Sequence, residues 1–491
     1  MAGSLFRTKS IEHLLAEHEG GEVTLKRTLG ASALVALGIG AIIGAGLFVR
    51  TAAAIAERSG PSVTLAYMVA GLGCAFAGLC YAEFASMIPI AGSAYTYSYA
   101  TMGELVAWII GWDLCLEYAV GAATVAIGWS EYFNKVLEYV GLQVPYEWCH
   151  SPFEVMAATG VHGIMNVPAL FILFLLSLLL ARGISESAMV NNLIVVTKVT
   201  IVIMVIVIGW GFINPANHTP YIPAATTYTT AQGVTHAYGG IMGILGAAGV
   251  VFFAFIGFDA VSTAAQEAKD PKRDMPIGIL GSLVVCTILF VLFAHVLSGV
   301  ATVEDFRTAG KEASVAFAIS KYMTGYEWLS KFVTVAILAG FSSVILVMLL
   351  GQSRVFFSMS RDGLVPKVFS ELHPKYRTPY KANMLFFVLT GVFGAFIPGD
   401  VVGEMTSIGT LFAFMLVCAG VWIMRVRRPE IPRGFTVPAL PFVAVMGIVV
   451  CGAMIFGLGW TNWVRLIVWM AIGLVLYFAY GKSHSRLEGR A

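Results

Sequence analysis

The chain alternates long apolar runs with short polar ones. A membrane-crossing helix needs roughly 20 predominantly apolar residues. Twelve stretches qualify: 31–56, 61–88, 104–136, 163–181, 187–213, 240–264, 276–300, 328–358, 382–398, 402–424, 436–458 and 461–481. The third and eighth are too long to cross straight and are expected to tilt or to project from the bilayer. Pro61, Pro89, Pro168, Pro276 and Pro379 stand near stretch ends, where a helix tolerates proline. The pattern predicts an all-α polytopic membrane protein of twelve transmembrane helices. The longest outer connections, 137–162, 214–239 and 301–327, leave no room for a soluble domain. Function is therefore expected within the membrane.

Composition agrees. Thirty Lys and Arg with 28 Asp and Glu make 12% charged residues, against about 25% in soluble domains. Hydrophobic residues reach 58% and mean hydropathy is +0.82. Neither a water-soluble fold nor a disordered chain fits. A net charge of +2 gives no reason to expect a nucleic-acid partner. Of the seven cysteines, Cys74, Cys80, Cys115, Cys286, Cys418 and Cys451 lie in apolar stretches and read as small packing residues. Cys149 lies in a loop. The sequence has no CxxC pair, metal-ligand cluster, phosphate loop, GxSxG pattern or nucleophile–base pairing, so neither an enzyme nor a cofactor or metal is expected.

Residues 1–30 hold Arg7, Lys9, Lys26 and Arg27 around the polar run SIEHLLAEHEGGE, without the apolar core of a signal peptide. They read as a cytoplasmic segment. With that assignment the inner segments hold 21 of the 30 Lys and Arg and the outer segments 8, Lys198 lying within a span. The bias places both termini in the cytoplasm.

Two spans are interrupted by glycine: GIGAIIGAGLFV in the first (38–49) and GAAGVVFFAFIGFDAV in the sixth (246–261). Each interior glycine costs about 1 kcal/mol in a helix. Gly40 and Gly44 could be a small-residue packing pair. Position favours a second reading. The two breaks open two possible five-span units, the layout of an inverted-repeat transporter. Unwound backbone is tolerated in a membrane only where it lines a cavity. There, free N–H groups can hold a carboxylate and free C=O groups an ammonium. An α-amino acid carries both.

Lys198 lies in VNNLIVVTKVTIVIMVIVIG, with no acidic residue within a helical turn. A lysine at mid-membrane costs roughly 2.5–3.5 kcal/mol on insertion scales. It either snorkels or is a desolvated amine that sheds and regains a proton. In the second case it replaces a sodium ion as the coupling cation. Glu117 in span three and Asp259 just past the second break are capping carboxylates or coupling groups. Glu83, near the inner end of span two, reads as structural or gating. His295 reads as a hydrogen-bonded core residue. Phe252, Phe253 and Phe255 pack, or close over a ligand at the break. Ser342 and Ser343 on span eight back-bond to their helix or face a cation site.

The segment YAEFASMIPIAGSAYTYSYATMGELVAWIIGWDLCLEY (81–118) resembles the signature of the amino acid–polyamine–organocation superfamily. Residues 25–49, 252–279 and 349–366 are similar to its cationic amino acid transporter branch. The resemblance runs from about residue 4 to 481. It implies a LeuT-type 5+5 inverted repeat plus two C-terminal helices. The corresponding parts are a segment 1–30, a first repeat 31–213, a second repeat 240–424, spans 11–12 over 436–481 and a tail 482–491. It implies a substrate carboxylate on the backbone of Gly44, Ala45 and Gly46. The ammonium would meet carbonyls of Ile42, Ile43, Phe253, Ala254 and Ile256. Phe253 matches an aromatic gate. Lys198 matches the lysine of proton-coupled members, between spans 1 and 8, and Glu117, Ser342 and Ser343 are candidates beside it in coupling.

Two departures bear on substrate and source. Animal members of the branch have fourteen spans, so twelve indicate a bacterial protein in the inner membrane. They also carry a small polar residue six before the position of Arg354, where this chain has Met348. A thioether offers a guanidinium nothing. The expected activity is proton-coupled uptake of neutral L-amino acids such as alanine. An Arg/Lys carrier or an exchanger is the alternative, and a non-transporting receptor or channel is a further class. The expected partners are the amino acid, a proton and the lipid bilayer. Cys149 lies where animal relatives carry a partner-binding cysteine, but its surroundings differ and a free thiol is expected.

Overall fold

The computed structural model describes residues 5–9, 29–88, 93–156, 159–183, 188–230, 233–263, 268–308 and 314–486. Most of segment 1–30, Pro89 and the last residues of the tail lie outside them. Each of the twelve apolar stretches carries a helix: α1 (Ala31–Ile42), α2 (Val63–Met87), α3 (Glu104–Glu138), α4 (Val167–Ala181), α5 (Ala188–Gly209), α6 (Gly240–Val251), α7 (Pro271–Val300), α8 (Glu327–Arg361), α9 (Tyr380–Phe396), α10 (Gly399–Arg427), α11 (Leu440–Leu458) and α12 (Trp460–Leu476). The protein is an all-α polytopic membrane protein. Helix is the form that satisfies every backbone group within one segment, which hydrocarbon demands.

The two long stretches each form one continuous helical run. α3 runs 35 residues with a π-turn at Leu116–Val120, and α8 also runs 35 residues. α7 begins five residues before Pro276, which therefore sits inside its first turns rather than at its end. At the sixth position it lies past the four N–H groups that have no partner, so the bond to the Lys272 carbonyl is given up there. One element departs from all-helix: residues 226–229 and 235–238 pair as an antiparallel hairpin of strands β1 and β2. Their Thr- and Tyr-rich sequence suits a pleated, solvent-facing ribbon.

Apolar side chains on the bundle's outside remain exposed. On α5 these include Leu193, Val196, Ile203 and Val207, and on α7 Val284 and Ile288. Such positions are suited to lipid. α7 packs against α1 and α2, α8 against α3, and α10 against α11. The described residues nearest the two ends meet on one face. There Lys9 Nζ reaches Asp362 Oδ1 at 2.9 Å, and the Arg486 amide donates to the Asp362 carbonyl at 3.1 Å. We call this the termini face and the opposite one the distal face.

Candidate functional site at the two helix breaks

Helix α1 stops at Ile42, and Ile43 is extended (φ −72°, ψ 105°). The chain re-enters helix through a π-turn at Gly46–Arg50. Helix α6 stops at Val251 and passes through a 3-10 turn at Phe252–Phe255 to an extended Ile256 (ψ 132°). Gly257 follows at φ +113°, a conformation that favours glycine. The two breaks meet. A Cβ on Gly46 would lie 2.2 Å from the Ala254 Cα, and one on Gly44 3.1 Å from Val344 Cγ2. The bodies that closely approach these glycines are the α6 break and α8.

The breaks leave polar backbone groups open. Among the described residues, the amides of Gly44 and Ala45 have no backbone acceptor, and the carbonyls of Ile43 and Ile256 have no backbone donor. The Phe253 carbonyl accepts from the Ile256 amide at 3.3 Å, so it is partly engaged. Beside them is an apolar cavity of about 10 Å³, lined by Ala41, Tyr118, Ile256, Gly257, Val344, Val347 and Met348. Phe253 and Ala254 are buried at the break itself.

Lys198 is buried, and its amine donates to the Gly40 carbonyl of α1 at 3.0 Å. It is thus not the isolated amine that its sequence neighbours suggested. The partner is a carbonyl on another helix, invisible to local sequence. Its stem lies against Gly340, where a Cβ would come 2.8 Å from the lysine Cε. The amine therefore bridges α5 to α1, with α8 alongside. Ser343 is buried on α8. Ser342 donates to the Leu338 carbonyl at 3.1 Å and accepts from Trp129 Nε1 of α3 at 3.0 Å. That is the back-bonded alternative, and it ties α8 to α3.

Glu117 and Asp259 come together at the α6 break, with Asp113 also near Glu117. Tyr118 donates to Asp259 Oδ2 at 2.7 Å. Both Asp113 oxygens are buried with no hydrogen-bond partner among the described residues. Asp113 went unnoticed in the sequence, although it sits four residues before Glu117 and so shares its helix face. Glu83 is elsewhere. It accepts from Arg433 Nε at 3.2 Å and the Val437 amide at 2.8 Å, and pairs with Arg425. It therefore braces α2 against the connection between α10 and α11.

On the distal side, a cavity of about 620 Å³ reaches inward to Val49 and Gly128. Arg50 Nη1 donates to Asp400 Oδ1 at 2.8 Å on its wall. Deeper in the protein, buried Arg58 pairs with Glu404 at 2.6 Å, and Arg465 of α12 reaches the same carboxylate at 3.3 Å. The Arg50–Asp400 and Arg58–Glu404 pairs join residues about 350 positions apart, so no local pattern announces them. Cys149 lines the cavity as an unbridged cysteine, its sulfur 3.1 Å from Asn134 Nδ2.

The amino acid permease family matches residues 29–480 of the chain. The chain is 43% identical over 488 residues to the branched-chain amino acid permease BcaP of Bacillus subtilis (strain 168), covering 99% of this chain and 100% of that one. It is 37% identical over 485 residues to a methylthioribose transporter of the same organism, covering 99% of each. It is 30% identical over 438 residues to the vacuolar cationic amino acid transporter 4 of Arabidopsis thaliana, covering 87% of this chain and 68% of that one. The family is one of permeases and these relatives are named as transporters, which points to a transporter and not an enzyme. The chain belongs to the amino acid permease family of the amino acid–polyamine–organocation superfamily.

Proposed function

We propose that the protein takes up small neutral L-amino acids, alanine foremost, by alternating access coupled to protons. The observation that carries this reading is the meeting of the two breaks. Open amides at Gly44 and Ala45 suit a carboxylate, and open carbonyls at Ile43 and Ile256 suit an ammonium. The adjoining cavity is apolar and at the lower limit for one water or methyl-sized group. A guanidinium there would have no acceptor, and an unpaired buried ion costs several kcal/mol. Lys198 acts as the coupling group, releasing its proton with each cycle, and Glu117 with Asp259 is the second candidate relay. The repeats are 31–213 and 240–424, with spans 11–12 outside them. The termini face is cytoplasmic, a reading supported by the excess of Lys and Arg in the segments on that side, and the membrane is a bacterial inner membrane.

A second reading is a branched-chain substrate, favoured by the 43% identical relative. Size separates the two. In proteoliposomes, excess L-alanine should block labelled alanine uptake, leucine should compete at least tenfold less well, and alanine methyl ester not at all. Leucine equal to alanine establishes the second reading. An ester equal to the free acid refutes the carboxylate site.

Met348 tests selectivity from the other side. Met348→Ser opens volume and supplies a hydroxyl acceptor. Arginine should then compete for alanine uptake where it does not in the parent. A parent already blocked by arginine, or a variant that gains nothing, removes Met348 from the selectivity argument.

A further inference from the structure

The distal end of α7 carries a pair of imidazoles that transport as described above does not use. His295 lies in the last two turns of α7, and His218 lies on the loop that follows α5. Their ring centroids are 4.6 Å apart with planes tilted by 34°. Both are half-buried. The loop is fastened to the helix end by the Gly299 carbonyl, which accepts from the Asn214 amide at 3.0 Å and Asn217 Nδ2 at 2.8 Å. It packs so closely that a Cβ on Gly299 would lie 3.0 Å from His218 Cε1. Trp210 and Tyr221 complete the surround, with ring centroids 5.3 Å from His295 and 5.8 Å from His218.

Ser298 Oγ lies 3.2 Å from the His295 carbonyl, to which it can donate, and 3.2 Å from His218 Nε2. In the His218 tautomer whose Nε2–H donates to that oxygen, Nδ1 keeps its lone pair. An imidazole whose other N–H is held by a protein oxygen is the arrangement that orients metal-binding histidines. A second imidazole beside it, at the partially negative end of a helix, adds a second nitrogen ligand and a favourable field for a cation.

We propose that His218 and His295 form a binding site for a divalent transition-metal ion of the zinc class, and that the bound ion slows transport. Imidazole nitrogens suit zinc at about 2.0–2.1 Å, and water fills the remaining tetrahedral positions. The ion would staple the loop after α5 to the end of α7. Helix α5 carries Lys198, whose amine reaches α1, so fixing its trailing loop restrains the element that the coupling cycle moves.

Zinc chloride titrated calorimetrically into the purified full-length protein should show one site per chain. His218→Gln and His295→Gln should each weaken it by about tenfold or more, with thermal midpoints matching the parent. Zinc outside proteoliposomes should slow alanine uptake by the parent and leave both variants unaffected. A parent without a zinc site, or a site that survives both substitutions, overturns the proposal. So does zinc that binds at these histidines and leaves uptake unchanged. The calorimetric arm needs no transported substrate, so its failure is distinct from failure of the alanine reading.

Discussion

Lys198→Met should abolish concentrative uptake while leaving the protein folded. The side chain is buried, and its amine lies at the junction of α5, α1 and α8. Methionine keeps an unbranched apolar stem against Gly340 and removes the titratable end. A shorter residue such as alanine would leave a cavity as well, and its effect would mix packing with coupling. Lys198→Arg supplies the complementary test. A guanidinium keeps its charge under all physiological conditions, so it cannot release a proton into the cycle. Both variants should bind alanine, shown by protection against thermal unfolding, and neither should concentrate it. Parent-like accumulation by either variant would remove Lys198 from coupling and pass the role to Glu117 and Asp259.

Gly46→Ala should be as damaging to transport through a different cause. The added Cβ would fall 2.2 Å from Ala254 Cα and 2.5 Å from its amide nitrogen. Both are backbone atoms of the second break, so no side-chain rotation can make room. Overpacking of ordinary cores costs about 1–3 kcal/mol, and a backbone against a backbone belongs at the upper end or beyond. Separation of the breaks would also pull the open amides away from the open carbonyls. Uptake should fall by more than tenfold. Gly44→Ala is the comparison, because its Cβ meets the Val344 side chain at 3.1 Å, which can give. That variant should be destabilised less. Equal losses of thermal stability in the two would mean that the 2.2 Å approach is not what holds the breaks together.

Much of this was legible before any coordinates. The twelve helices follow from apolar length alone, and the breaks follow from glycine clusters that a helix has no reason to carry. Lys198 was conspicuous because a mid-membrane amine is costly. What the sequence hid were the partners. The Gly40 carbonyl carries no signature as an acceptor, and Gly340 reveals its role only when the lysine stem lies on it. Ser342 was placed on the correct helix, but its rotation toward Trp129 depends on how α8 packs against α3. Arg50 with Asp400 and Arg58 with Glu404 are distant in sequence, so only the fold brings them together. Asp113 was detectable by helical spacing from Glu117, yet it draws notice only once its buried carboxyl is seen without a partner. The β1–β2 hairpin interrupts a connection that carries no spanning signal.

The coupling claim has a direct measurement. Purified protein in proteoliposomes is given labelled L-alanine under an inward proton gradient, without sodium, and again after the gradient is collapsed by a protonophore. The account predicts accumulation well above the external concentration in the first condition and simple equilibration in the second. Accumulation that survives the protonophore, or that requires sodium, would contradict it.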